Sequence, residues 1–238
     1  MGCEGHFYTA KFYRELESTR QSAAEIVPII IELLKPSSIV DIGCGSVHWL
    51  AAAAELGVTD FLGVDGDWVN ESQLGIPAKK FIAHDLSTPL NLDRRFDLTL
   101  SLEVAEHLSE AAAGTFVQNL CSAADTVVFS AAIPGQGGRH HINEQWPAYW
   151  ADLFHGCGYQ CYDVLRPRIW NNPRIAWYYA QNCMVFSRTH VPSLGLPGRP
   201  LALVHPTLWL AQVARLQSPG KLLESLPKAI LSRLHGRK

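Results

Sequence analysis

Two segments gather side chains that can move a proton. "EVAEHL" holds Glu103, Glu106 and His107. "GQGGRHHINEQW" places His140, His141, Asn143 and Glu144 just after Gly135, Gly137 and Gly138. An imidazole titrates near neutrality, which suits it to accept a proton from a hydroxyl. Glu103 and His107 are four residues apart, so a helical turn would put them on one face. The plainer reading is that Glu106 and His107 cap and orient a loop. In the second segment, Asn143 capping the next helix, with Glu144 in its first turn, accounts for those two residues. It leaves the two histidines without a role. His107, His141 and Glu144 are therefore the catalytic candidates, with His140 beside the acceptor, and His155 is read as structural. No metal is expected. Neighbouring histidines in extended chain point opposite ways, and the pair Cys157 and Cys161 has no second pair to complete a site.

A third segment, "SIVDIGCGSVHWLAAAAELG", sets Asp41, Gly43, Cys44 and Gly45 between a strand pattern and a helix pattern. Glycines on such a turn let backbone approach a ligand closely. In an open α/β sheet ligands bind at the carboxyl ends of strands. A dinucleotide loop would carry GxGxxG, and Val47 stands near where a further glycine belongs, narrowing the approach. Cys44 is expected to be there for its size and not for reactivity.

These residues need a scaffold, and the hydrophobic pattern supplies one. Residues 12–34 repeat apolar positions at helical spacing, with Pro28 as a kink or second start and Pro36 as a stop. Strand patterns follow in "SIVDIG", "DFLGVDG", "KKFIAHDL", "FDLTLSLEV", "TVVFSAAIPG", "QCYDVLRPRIW" and "NCMVFSR". Helix patterns lie in "VHWLAAAAELG", "EAAAGTFVQNLCSAA" and "NEQWPAYWADLFHGCGY". This rhythm implies a doubly wound, mostly parallel α/β sheet of seven strands, Rossmann-like, whose last two strands form an antiparallel edge hairpin. Residues 1–190 form the domain; residues 191–238 are a Pro/Gly linker and an amphipathic helical arm. The arm is expected to pack on the domain or on a second copy in a homodimer, with membrane-surface contact as the sharper alternative.

The motifs resemble the class I S-adenosylmethionine-dependent methyltransferases over roughly residues 10–190. "VDIGCGS" looks like the first motif of that family, "FLGVDGDW" like the second, "FIAHDLS" like the adenine-binding motif and "FDLTLSLEVAEHL" like the fourth-strand motif. The resemblance implies S-adenosylmethionine as cofactor. Asp41, Gly43, Cys44 and Gly45 would form its loop, and Asp65, with Gly66 beside it, would accept the ribose hydroxyls. Trp68 would pack on adenine, and Asp85 and Leu86 would bind its edge. A backbone carbonyl of Ser101 or Leu102 would meet the ammonium. It further implies an N-terminal lid helix, with Tyr8, Tyr13 and Arg20 as contacts. "SAAIPGQGG" and "HINEQWPAYW" look like a bacterial subgroup acting on sugars, glycans and natural products.

The expected reaction is methyl transfer to a hydroxyl, or less readily an amine, of a small molecule or sugar. Arg166, Arg168 and Arg174 could grip an anionic group of the acceptor, and Trp170, Trp177 and Tyr178 could stack on a ring. The rivals are a protein-directed methyltransferase, a binding module without chemistry and a nicotinamide oxidoreductase. Among 238 residues the net charge is −2, which speaks against nucleic acid as partner. Six cysteines without a CxxC pair, no signal-peptide pattern and no membrane-length apolar run point to the cytoplasm.

Overall fold

The structure is a computed structural model that describes residues 10–69, 74 and 76–217, without the side chains of residues 10–16 and Ala78. It forms two units by contact, residues 1–203 and 204–238. In the first, β1 (Ser38–Ile42), β2 (Asp60–Asp65), β3 (Phe81–Ala83), β4 (Leu98–Leu102), β5 (Thr126–Ser130), β6 (Gln160–Tyr162) and β7 (Met184–Ser187) form one sheet in the order 3-2-1-4-5-7-6. β1 to β5 pair in parallel, and β7 runs antiparallel between β5 and β6. The expected antiparallel edge is present. Its connection is not a tight hairpin, because α5 (Arg166–Ile169) and α6 (Trp177–Asn182) lie between β6 and β7. "RPRI" was read as strand; Arg166 and Ile169 are instead buried on one helical turn.

The order in which the chain adds strands reverses between β1 and β4, and both β1 and β4 carry buried side chains throughout, apart from Ser38. Fully buried strands of this kind read as apolar runs because helices cover both faces. One face packs α1 (Ala10–Leu34) and α2 (His48–Glu55) through Ile26, Ile30, Trp49 and Leu50. The other packs α3 (Glu110–Ala123) and α4 (Pro147–Gly156) through Phe116, Leu120, Trp150 and Phe154.

α1 is one continuous helix through Pro28. The proline ring faces solvent, while Ala23, Ile26, Val27, Ile30 and Leu33 bury a stripe on both sides of it. Packing on both flanks holds the helix where a missing hydrogen bond would weaken it. From Ser22 onward α1 is thus a core layer and not a lid. Residues 192–201 also lie on this unit: Ser193 Oγ donates to the Leu33 carbonyl at 2.5 Å, and the Gly198 N–H donates to the Cys161 carbonyl at 2.9 Å. In the second unit α7 (Pro206–Gln217) exposes Trp209, Leu210 and Leu216. The rest of the arm lies outside the described residues. Among the described residues no helix is long and apolar enough to cross a membrane.

Candidate functional site

The turn after β1 is built around one carboxylate. Asp65, at the end of β2, accepts the Gly45 N–H and the Gly66 N–H, each at 2.7 Å and each on a different oxygen. The Gly43 and Cys44 N–H groups both donate to the Val64 carbonyl. Gly43 has φ +89° and no room for a side chain: a Cβ there would stand 2.4 Å from Val104 Cγ2. The glycine turn therefore seats directly on the segment that follows β4. Gly45 has φ +47° and open space where its Cβ would be, so Gly45 is the glycine whose bare backbone faces the cleft. A Gly43→Ala protein is expected to lose about 1–3 kcal/mol of stability through overpacking and backbone strain. Gly45→Ala should lose less. Urea denaturation of the two side by side checks the order.

Val47 corrects an expectation. It takes the left-handed conformation (φ 55°, ψ 22°) that a glycine there would adopt, and its side chain is buried in the core. It does not narrow the loop. Cys44 is buried among apolar groups, and burial pushes its thiol far up, so it has no nucleophilic role.

Asp41 is buried in β1, and its Oδ2 has no hydrogen-bond partner among the described residues. Burial, with Asp65 nearby, holds its carboxyl well above the ordinary range. The folded state then binds this proton more tightly than the unfolded chain does. Its contribution to stability is fully present below the unfolded value near 3.9 and falls as pH rises toward the folded value. Asp41→Asn removes that fall, so the stability of the variant relative to the parent should grow from pH 4 to pH 8. A difference that stays flat across urea midpoints at those pH values would remove Asp41 from this role.

Beside Asp65 lies a cleft of about 410 Å³ lined by Gly66, Asp67, Trp68, Ala83, His84 and Asp85. Trp68 is 73% exposed, with its ring drawn over Gly66, where any Cβ would meet it at 2.2 Å. Asp85 is exposed; its Oδ1 accepts both the N–H and the hydroxyl of Ser87, which hold its carboxyl below the usual range. Leu86 is buried behind it. Ser101 and Leu102 end β4, both buried, and Ser101 Oγ has no hydrogen-bond partner among the described residues. The cofactor residues named from the sequence thus gather along the carboxyl edge of β1, β2, β3 and β4.

The proton-handling residues converge next to them, in a different pairing from the one expected. Glu103 is not on a helix with His107: it has φ 56°, and Ala105–His107 form a separate 3₁₀ turn. Glu103 Oε1 accepts from Asn182 Nδ2 at 3.0 Å and Oε2 from Gln136 Nε2 at 2.9 Å. Gln181 Nε2 and Asn182 Nδ2 both donate to Gln136 Oε1. This amide network was not foreseen, because β7 brings residues 181–182 beside β5 only in the folded sheet.

Glu106 takes the place expected of Glu103. It is fully buried, its two carboxylate oxygens have no well-formed hydrogen bond among the described residues, and its backbone carbonyl accepts the N–H groups of Ile142 and Asn143. That clamp brings His141 to His107, with ring centroids 4.9 Å apart and edge to face. His141 Nδ1 lies 3.0 Å from Glu144 Oε1. Glu144 also accepts the Gly135 and Gly137 N–H groups at 2.8 and 2.7 Å. Glu144 therefore shapes the glycine loop and orients His141. It is not in the first turn of α4, which starts at Pro147 after Trp146, so Asn143 does not cap that helix. Burial holds His107 below the usual imidazole range, and His141 beside it adds to the effect. Burial likewise raises the carboxyls of Glu103 and, with Glu103 as neighbour, Glu106. His140 is exposed, with φ 60°.

The arginine cluster is not a three-pronged grip. Arg166 is buried and forked on Asp163 at 2.8 and 2.5 Å, with a further bond to the Leu201 carbonyl. Arg174 pairs with Glu25 at 3.1 Å. Arg168 is exposed and Trp170 half-buried at α5. Arg20 pairs with Glu17 at 2.6 Å on an exposed face of α1; burial, with Arg20 adding to it, holds His48 at the start of α2 below the usual imidazole range. Tyr8 and the Tyr13 side chain lie outside the described residues.

No protein-family model and no curated protein matches the sequence. Solved structures do. The sugar N-methyltransferase KedS8 from Streptoalloteichus sp. ATCC 53650 is 16% identical with a TM-score of 0.58, covering 80% of this chain and 98% of that one. CalS10 from Micromonospora echinaspora, a SAM-bound amino pentose methyltransferase, is 13% identical with a TM-score of 0.54, covering 79% and 100%. Magnesium protoporphyrin IX methyltransferase from Synechocystis PCC 6803, also with bound SAM, is 17% identical with a TM-score of 0.53, covering 78% and 87%. In strand order and in the place of its glycine turn, this chain has the class I methyltransferase fold.

Proposed function

We propose that the chain is an S-adenosylmethionine-dependent methyltransferase acting on a hydroxyl of a small molecule or sugar. The observation that carries the reading is Asp65. It ends β2, braces the glycine turn with one N–H on each oxygen, and stands next to Gly66 and Trp68, which line the cleft; the Trp68 side chain also acts on its carboxylate. A ribose diol fits such an acceptor, and adenine fits between Trp68 and the Asp85–Leu86 turn. The unpaired Asp41 Oδ2 and the carbonyls at the end of β4 suit the amino-acid end of the cofactor.

The bound cofactor supplies a methyl carbon activated by a sulfonium. The chain's own work is positioning and removal of the acceptor proton. That proton falls to the constellation of His107 and His141; the His107 backbone N–H donates to the carbonyl of Val104, the residue on which the glycine turn seats. As the acceptor oxygen's lone pair forms the new bond to carbon, the sulfur–carbon pair returns to sulfur and the hydroxyl proton leaves.

A sugar acceptor is supported by the likeness to sugar methyltransferases. Two of those act on amino sugars or at nitrogen by name, which favours an amine as the second reading; the buried carboxylate and paired imidazoles favour hydroxyl, since a neutral amine needs no base. Incubation with methyl-labelled cofactor, a panel of hydroxyl and amino sugars, and a protein extract tests this. Label in a hydroxyl sugar is expected. Label in protein would move the reading to a protein-directed enzyme. Cofactor binding without any transfer would leave a binding module.

A further inference from the structure

Glu106, His107 and His141 each offer one ligand atom, and these three atoms lie within 4.8 Å of one another. Three facts about this cluster need a common cause. Glu106 is fully buried, and among the described residues its oxygens have no well-formed hydrogen bond, though the Ala132 backbone and the Glu103 carboxyl stand close enough to act on it. A second carboxylate, Glu103, stands beside it and pushes its carboxyl further up. A buried carboxylate without a good donor is costly, whereas its neighbour Glu103 is satisfied by Gln136 and Asn182.

The second fact is the way the ligands are held. The Glu106 carbonyl ties down Ile142 and Asn143, so the two loops cannot separate without breaking both bonds. His141 directs Nδ1 to Glu144, which leaves the lone pair on its other nitrogen. A carboxylate behind an imidazole is the usual support of a ligating histidine. The third is access: Glu106 lies at the bottom, His141 is half-buried and His107 is exposed, so the open side faces solvent and acceptor.

We propose that Glu106, His107 and His141 bind one divalent transition cation whose remaining positions take the acceptor's hydroxyl oxygen. Two imidazoles and one carboxylate favour ions such as Mn²⁺, Co²⁺ or Zn²⁺ over Mg²⁺, which prefers oxygen ligands throughout. Three protein ligands leave the sphere open. The part played by the acceptor rests on the methyl-transfer reading; the cation site does not. With the ion present the histidines act as ligands and not as bases. The bound hydroxyl loses its proton to solvent more readily, its oxygen forms the bond to the methyl carbon, the sulfur–carbon pair returns to sulfur, and the ion keeps its oxidation state.

The test uses the full chain, freed of metal with a chelator, and titrated with Mn²⁺ by electron paramagnetic resonance and with Zn²⁺ and Mg²⁺ by calorimetry. S-adenosylhomocysteine binding is measured in parallel. One Mn²⁺ or Zn²⁺ per chain is expected, with Mg²⁺ far weaker. Glu106→Gln and His141→Ala should each weaken it by more than about 100-fold, beyond the 10–100-fold typical of a supporting residue such as Glu144. His155→Ala, at an exposed histidine of α4, should bind as the parent does. Circular dichroism melts check folding; if Glu106→Gln is unfolded, the surface variant His107→Ala carries the test. No saturable Mn²⁺ or Zn²⁺ site in a chain that binds S-adenosylhomocysteine overturns the cation and leaves methyl transfer standing. Equal ion binding by all variants overturns it too. Ion binding as expected without S-adenosylhomocysteine binding supports the site and removes its assigned acceptor.

Discussion

Replacing His141 by alanine is expected to slow turnover by about 10²–10⁴-fold, the usual span for losing the group that handles the acceptor proton. S-adenosylhomocysteine affinity should stay near that of the parent, because the cofactor edge is formed by β1 to β4 and His141 follows β5. Whether the ring acts on the proton directly or through an ion, its place is the same: 4.9 Å from His107 and braced by Glu144. His107→Ala should show a comparable defect. Gly138→Ala supplies an independent check, since a Cβ there would lie 2.1 Å from His141 Nε2 and would push the ring out of position. Turnover and affinity measured on the three variants decide the matter. Native turnover in both histidine variants would leave positioning alone to carry the reaction.

The second large effect is on affinity. Asp65→Ala removes the acceptor for the ribose diol and also leaves the Gly45 and Gly66 N–H groups without their partner. Losing a hydrogen bond to a charged group costs about 1.5–3 kcal/mol, equivalent to roughly 10- to 150-fold in affinity. The loosened turn adds to this. Asp65→Asn keeps one acceptor oxygen and should fall between. Calorimetry with S-adenosylhomocysteine measures the series, and an unchanged affinity in Asp65→Ala would remove Asp65 from the site.

Much of this architecture was legible because its signals are local. The glycine turn, Asp65 at a strand end and the alternation of strand and helix can each be read within about twenty residues, and the sheet order follows from rules of connection. The site's proton-handling half was not legible in the same way. The helical spacing of Glu103 and His107 suggested a pair, but Glu103 adopts a left-handed conformation and turns to Gln136 and Asn182, residues brought near only by the antiparallel β7. Glu106 read as a capping residue because nothing in "EVAEHL" tells that its carbonyl will clamp a loop 36 residues on. Adjacent histidines argued against a chelate, and the argument holds for His140 and His141 as a pair; the partner of His141 is His107, from another loop. The anion grip read for Arg166 fails for the same reason: its partner Asp163 lies three residues away, but its burial also draws on the Leu201 carbonyl, far off in sequence.

The most direct test of the central claim is the stoichiometry and specificity of cofactor binding to the full chain, by calorimetry with S-adenosylhomocysteine and, separately, with a nicotinamide dinucleotide. The account predicts one S-adenosylhomocysteine per chain, weakened at least about tenfold by Asp65→Ala, and no binding of the dinucleotide. Binding of the dinucleotide in place of S-adenosylhomocysteine would contradict it.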